Sequence, residues 1–387
     1  MFQMNSVPKL SKRLPNLSTT TIKTVGATPL ITKALSPRTF SDPPKLARYL
    51  GKKVLAHAPG RFVVIEKPFG ISCVGQLQQN GGVFGNSVRD ERKTEKWAGT
   101  IRARPDEEVG VTITDSLKLL RKILNEPNLS FCTGLKRYLS GAIVLPCNER
   151  DANILKDCIR RMSADVEPPF MYNALAITLN SPPKSSGTIT GFSTFRNVGK
   201  HVEYIFEERK VTKRAKTGKF AVEGHMSYRV LDTRNGISLV DFSVNKFARH
   251  LPRLMLTQML SPILGDRIYW RRLMELDGVP ELVSAGSRVP KYTPFIPKIL
   301  AERFSMTNQE LSTSLPIYCH VYNTIFEDVG GYEEQGLVAA VEPPAHFMAA
   351  LKLLDLLPAY KKFKNQTEKP TEHVTVLGGI TSGDAFF

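Results

Sequence analysis

Apolar positions along this chain fall into short runs and helical stripes, separated by polar and glycine-rich stretches. Arg61-Phe62-Val63-Val64-Ile65-Glu66 is an apolar run that meets Lys67-Pro68-Phe69-Gly70, which predicts a buried strand closed by a turn. Leu117, Leu120, Ile123 and Leu124 recur at helical spacing behind Thr114-Asp115-Ser116, a suitable capping region. Residues 142–146 read as a buried strand, and Leu155, Cys158, Ile159 and Met162 share one face of a second helix. Strands then dominate residues 171–245, at 172–177, 225–231 and 238–244. Segments 181–200 and 208–221 read as hairpin loops, and 78–108 as a long surface loop rich in Gly, Asn and charge. A short helix is predicted at 254–260, with Pro252 tolerated only in its first turn. Residues 271–312 read as an irregular insertion, and the chain beyond 363 as a polar tail. The pattern is that of an α+β protein.

Composition adds a partner class. The 387 residues are 42% hydrophobic, enough for a sizeable core, and carry a net charge of +17. That excess favours polyanions, with RNA, DNA and acidic membrane as candidates, against the plainer reading of a solvated basic surface. Residues 1–41 hold no acid but contain Lys9, Lys12, Arg13, Lys23, Lys33 and Arg38 among many Ser and Thr, the composition of a mitochondrial presequence. A basic RNA-contacting tail is the competing reading. The rest of the chain stays basic without these residues. Five cysteines, none in a C-x-x-C pair, argue against a disulfide framework and against zinc. No run of about 18 apolar residues predicts a membrane span. The expected organisation is a presequence at 1–41, a linker at 42–57, one domain at 58–357 containing the 271–312 insertion, and a polar tail at 358–387.

Four separated segments, in order, resemble the RluA-type pseudouridine synthase family. RFVVIEKPFG at 61–70 resembles its opening strand and K-P-x-G turn. GLKRYLSGAIVL at 134–145 resembles the catalytic loop R-L-D-x-x-T-S-G and the strand after it. MYNALAI at 171–177 resembles its tyrosine-bearing strand, and RHLPRLMLTQMLSPILGDRIY at 249–269 resembles H-Q-I-R-x-H followed by P-x-x-G-D-x-x-Y. A weaker fifth match covers 315–354. The resemblance implies a mixed, largely antiparallel bent sheet with flanking helices and a central RNA-binding cleft. It implies conversion of uridine to pseudouridine by one aspartate, with a paired arginine, a tyrosine against the flipped base, and no cofactor or metal.

Carried over position by position, the tyrosine is Tyr172, the arginine is Arg253, and the aspartate position holds Lys136. The flanking H-R reads Thr133-Gly134, and no acid lies between Glu126 and Glu149. A lysine is a cation at neutral pH, neither base nor nucleophile. On this reading Arg253 has lost its partner, and two neighbouring cations suit a phosphate better than sugar chemistry. Arg137 and His250 are further candidate RNA contacts, and Asp266 reads as a turn residue. The basic segment carrying Arg209, Lys210, Lys213, Arg214, Lys216 and Lys219 offers salt-dependent phosphate contact, or is simply a charged, soluble hairpin. The sequence therefore predicts a mitochondrial RNA-binding protein, impaired as an enzyme, acting on rRNA or mRNA with mitoribosomal or RNA-processing proteins as partners. An active mitochondrial pseudouridine synthase and a structural mitoribosome-associated protein are the alternatives.

Overall fold

The computed structural model describes residues 28–74, 110–198, 201–209, 212, 221–277, 279–283, 295–327 and 337–367. The chain opens with helix α1 (Pro29–Leu35) and α2 (Pro43–Gly51). Strands β1 (Val54–Ala58) and β2 (Phe62–Lys67) follow, then helix α3 (Ile113–Leu124), β3 (Ser140–Pro146) and α4 (Glu149–Met162). The long strands β4 (Tyr172–Leu179), β5 (Ser186–Val198), β6 (His201–Glu207), β7 (Val222–Arg234) and β8 (Ile237–Val244) lead into helix α5 (Leu251–Gln258). A hairpin, β9 (Leu273–Leu276) and β10 (Val279–Leu282), precedes helices α6 (Lys298–Phe304) and α7 (Asn308–Ser314). Strands β11 (Cys319–Phe326) and β12 (Leu337–Ala340) and helices α8 (Ala345–Leu353) and α9 (Leu357–Thr367) complete the described chain.

Among the described residues ten strands form one sheet, ordered β1-β2-β3-β11-β4-β8-β7-β5-β6, with β12 extending the β3 side of β11. Its pairings are antiparallel except β3 with β11, where Ser140 faces His320 and Gly141 faces Val321. This is the mixed, largely antiparallel α+β architecture the sequence leads one to expect. Helices cover both faces, so central strands alternate between two cores. On β4, Tyr172, Ala174 and Ala176 enter a cluster with Leu46, Leu117, Leu120, Leu155 and Cys158. Leu175, Ile177 and Leu179 enter another with Ile31, Phe304, Phe347, Leu351 and Phe363. Burial on both faces explains why β4 reads as a nearly unbroken apolar run.

Six expectations change. The 42–57 segment is not a linker: Asp42 caps α2 by accepting from the Lys45 N–H at 2.8 Å, Pro43 starts the helix, and Leu46 and Leu50 are buried. The presequence boundary at 41 cuts into packed structure, because Ile31 and Ala34 of α1 are buried and the Tyr318 hydroxyl donates to the Ala34 carbonyl at 3.0 Å. The tail begins later than 358, because α9 buries Tyr360 and Phe363. Segment 181–200 contains the thirteen-residue strand β5 rather than a loop. The described part of the 271–312 insertion holds the β9–β10 hairpin, α6 and most of α7 rather than irregular chain. The cap of α3 also lies earlier than expected: Thr112 and Asp115 form a reciprocal capping box, and Asn125 ends the helix in a left-handed turn.

Candidate functional site

The loop 131–139 between α3 and β3 is where the family-like positions converge. Its exit is fixed by Gly141, whose φ is 157°; a Cβ there would lie 2.7 Å from the Val321 carbonyl and from the Leu135 side chain, so the parallel pairing with β11 requires glycine. Beside it Ser140 Oγ sits 2.9 Å from His320 Nδ1, while His320 Nε2 lies 3.0 Å from the Val341 carbonyl. Nε2 must therefore donate, leaving Nδ1 to accept from the serine. Burial holds this imidazole at a pKa of about 4, so the pair is a neutral structural joint.

The Lys67-Pro68-Phe69-Gly70 turn is tied to the same loop. Lys67 is fully buried and its Nζ donates to the carbonyls of Leu139 at 2.6 Å and Pro68 at 3.0 Å. Burial lowers this amine to about 8. Arg137 Nε donates to the Gly70 carbonyl at 3.1 Å, and the Gly70 N–H donates to the Arg137 carbonyl at 2.9 Å. Cys73 Sγ reaches the Leu135 carbonyl at 3.3 Å. A Cβ on Gly134 would meet Cys73 Sγ at 2.4 Å and the Phe131 ring at 2.6 Å. The arginine that the resemblance puts at this position thus has no room here.

At one end of the loop lies Tyr172, at the start of β4. Its ring packs edge-on to Phe247, centroids 5.3 Å apart. Burial pushes the phenol up to about 12, so it stays protonated. At the other end Tyr138 covers Arg253, whose guanidinium carbon lies 4.7 Å from the Tyr138 ring centroid and 5.0 Å from that of Tyr269. Lys136 is half-buried and Arg137 exposed in the turn between these ends.

Arg253 has not lost its partner. Its Nε and Nη2 donate to the two oxygens of Asp266 at 2.6 Å each, a buried bidentate fork. Asp266 Oδ1 also accepts the N–H groups of Ile268 and Tyr269 at 3.1 and 3.2 Å. Three donors thus converge on Oδ1 and one on Oδ2, a buried arrangement that suits Asp266 as a counter-ion and hub rather than a base. With a carboxylate at its edge, a ring near each side and 4% exposure, Arg253 is not open to a phosphate; the joint Lys136–Arg253 phosphate contact expected from sequence is corrected accordingly. Gly265 positions this hub: its φ is 84°, and a Cβ would fall 1.9 Å from the Pro316 carbonyl oxygen.

His250 sits at the start of α5, with Nδ1 2.9 Å from the Tyr269 hydroxyl and its ring 5.1 Å from Tyr204. It and Arg249 both adopt left-handed backbone conformations, φ 60° and 43°, which cost about 1–3 kcal/mol each in a non-glycine residue. The Ser193 hydroxyl holds this bend by donating to the Arg249 carbonyl at 2.8 Å. Arg209 is exposed just beyond β6, and Lys210, Lys213, Arg214, Lys216 and Lys219 lie outside the described residues. Sequence reasoning passed over Lys67, Tyr138, Tyr204 and Tyr269 and gave Asp266 too small a part. The P-x-x-G-D-x-x-Y match held the signal for Asp266 and Tyr269. Among the described residues no group of His, Cys, Asp or Glu could hold a metal, and no helix is long and apolar enough to cross a membrane.

No family model matches the chain, and no curated protein sequence matches it significantly. Among solved structures, human RNA pseudouridylate synthase domain containing 4 is similar with a TM-score of 0.52 at 18% identity, over 81% of this chain and 97% of that one. Human RNA pseudouridylate synthase domain containing 1 aligns at 14% identity and a TM-score of 0.42, over 80% of this chain and 86% of that one. The first likeness gives the fold, that of a pseudouridine synthase domain.

Proposed function

We propose that this chain binds mitochondrial RNA, ribosomal or messenger, on a pseudouridine synthase scaffold, and does so without isomerising uridine. The observation that carries the second half is the pairing of Arg253 with Asp266 while the loop position of the family aspartate is Lys136. The arginine that would orient a loop carboxylate is committed elsewhere, and the loop supplies a cation instead. RNA as partner is supported by the fold, the net charge of +17 and the exposed Arg137 and Arg209. The mitochondrial setting rests on the acid-free, basic, hydroxyl-rich N-terminal segment; since α1 is packed, that leader would end before residue 28. Mitoribosomal or RNA-processing proteins are the partners such a role would bring.

The test is pseudouridine mapping of mitochondrial RNA with and without the chain, together with purified wild type and Lys136→Ala on the RNA they bind. The expected result is RNA binding that weakens steeply with salt and an unchanged pseudouridine map in every arm. Pseudouridine formed by the purified wild type would overturn the reading in favour of an active synthase. Absence of RNA binding would leave a structural protein of the same fold.

A further inference from the structure

We infer that Tyr204 and His250 form a stacking seat for one unpaired RNA base, with the phosphates beside that base held by the turn Lys136-Arg137. This inference rests on the RNA-binding reading and specifies what form of RNA the chain takes.

Tyr204 lies on β6, the strand at the end of the sheet, which among the described residues pairs with β5 alone. Phe206, two residues on and on the same face, packs against the first apolar core; Tyr204 belongs to neither core. It is a half-exposed aromatic whose ring meets His250 at 5.1 Å and 64°. His250 is itself half-exposed and fixed twice, by the Tyr269 hydroxyl and by the left-handed bend that Ser193 braces. The next ring in line is Tyr138, edge-on to His250 at 6.5 Å. Three rings therefore lead from the end of the sheet to the loop, the inner one resting on the neutralised Arg253–Asp266 pair.

In this row Tyr204 and His250 are part-exposed, and the Arg253 charge against the inner ring is balanced by Asp266. That suits stacking, which is tolerant of base identity and requires the base to be unpaired. Charge for the backbone comes from the rim. Arg137 is exposed and Lys136 half-exposed next to Tyr138. A duplex cannot present a base face to this row without opening, so the geometry selects single-stranded or looped RNA.

The experiment measures fluorescence anisotropy of the full chain with a labelled oligouridylate twelve-mer and with a labelled RNA duplex of equal length. Tyr204→Ala is expected to weaken the single strand roughly 5- to 150-fold, to leave duplex binding as it was, and to leave the salt slope of single-strand binding unchanged. Tyr204→Phe is expected to restore wild-type affinity. Arg137→Ala is expected to lower the salt slope by about 0.7. Single-strand affinity retained in Tyr204→Ala, or lost equally for both RNAs, overturns the seat. A wild type that binds neither RNA overturns the RNA-binding reading itself, which is a separate failure. Photocrosslinking of a 4-thiouridine twelve-mer to wild-type protein covers the case in which Tyr204→Ala does not fold: adducts at Tyr204 or His250 support the seat, and adducts confined to other regions refute it.

Discussion

Replacing Asp266 by asparagine isolates the role of the Arg253–Asp266 pair. The substitution keeps the volume and one oxygen. It removes the charge and turns an amide NH2 toward groups that are all donors: Arg253 Nε and Nη2 and the N–H groups of Ile268 and Tyr269. Arg253 is left as a cation at 4% exposure, with two tyrosine rings as its remaining favourable neighbours. Removing one partner of such a pair costs about 3–5 kcal/mol, and ring contacts of about 0.5–2 kcal/mol do not replace a carboxylate. In a domain of this size that corresponds to a fall in Tm of roughly 10 °C. Urea unfolding followed by circular dichroism gives the difference directly, provided the slope with denaturant is unchanged. The double change Arg253→Met with Asp266→Leu should recover most of the loss, since no charge then remains buried. Asp266→Asn within about 1 kcal/mol of wild type, at unchanged slope, would refute the counter-ion assignment and reopen a chemical role for Asp266.

The remaining predictions concern the joints around the loop. His320 and His346 both have pKa values lowered to about 4 by burial, against an ordinary value near 6.5. The unfolded chain therefore binds more protons between pH 6.5 and 4, and stability is lost as pH falls through that window. Unfolding free energies at pH 7 and 4.5 should show His320→Gln removing about half of the acid loss, and an unchanged loss sinks the assignment. Lys67, lowered to about 8, carries a charging penalty that is relieved as pH rises from 8 towards 10.5. The stability difference between wild type and Lys67→Met should thus move in favour of wild type over that range, and a pH-independent difference refutes it. Gly134→Ala should cost about 1–3 kcal/mol in thermal unfolding by pressing on Cys73 and Phe131, and a neutral result means that the loop yields there.

Much of the scaffold was legible because its signals are local. The apolar runs of β2, β3, β4 and β8 and the stripes of α3 and α4 can be read from their own residues. What escaped was set by neighbours distant in sequence. β5 reads as a loop because of Gly187 and Gly191, yet Gly191 is where the Phe206 ring crosses the strand, 2.4 Å from an added Cβ. α2 reads as a linker because Asp42-Pro43-Pro44 resembles a break, although the same residues cap and start a helix. The β9–β10 hairpin was signalled by Asp277-Gly278 between apolar residues and was passed over inside a stretch rich in breakers. Motif positions pointed to Lys136, Tyr172 and Arg253 as candidates, but no motif states which carboxylate an arginine will choose. That choice depends on Gly265 and Pro316 placing Asp266 under the guanidinium.

The placement of β11 also governs how the chain must be made. It inserts between β3 and β4, strands that precede it by about 140 residues or more, and its His320 secures the exit of the loop at Ser140. Until residues 319–326 have been synthesised, β3 and β4 each present an open edge to the surrounding solution, and the loop carrying Lys136 lacks its closing strand. A product truncated before residue 319 is therefore a sticky fragment with two such edges rather than a smaller working protein. A strand from the later part of the chain thus closes a loop laid down in its first half.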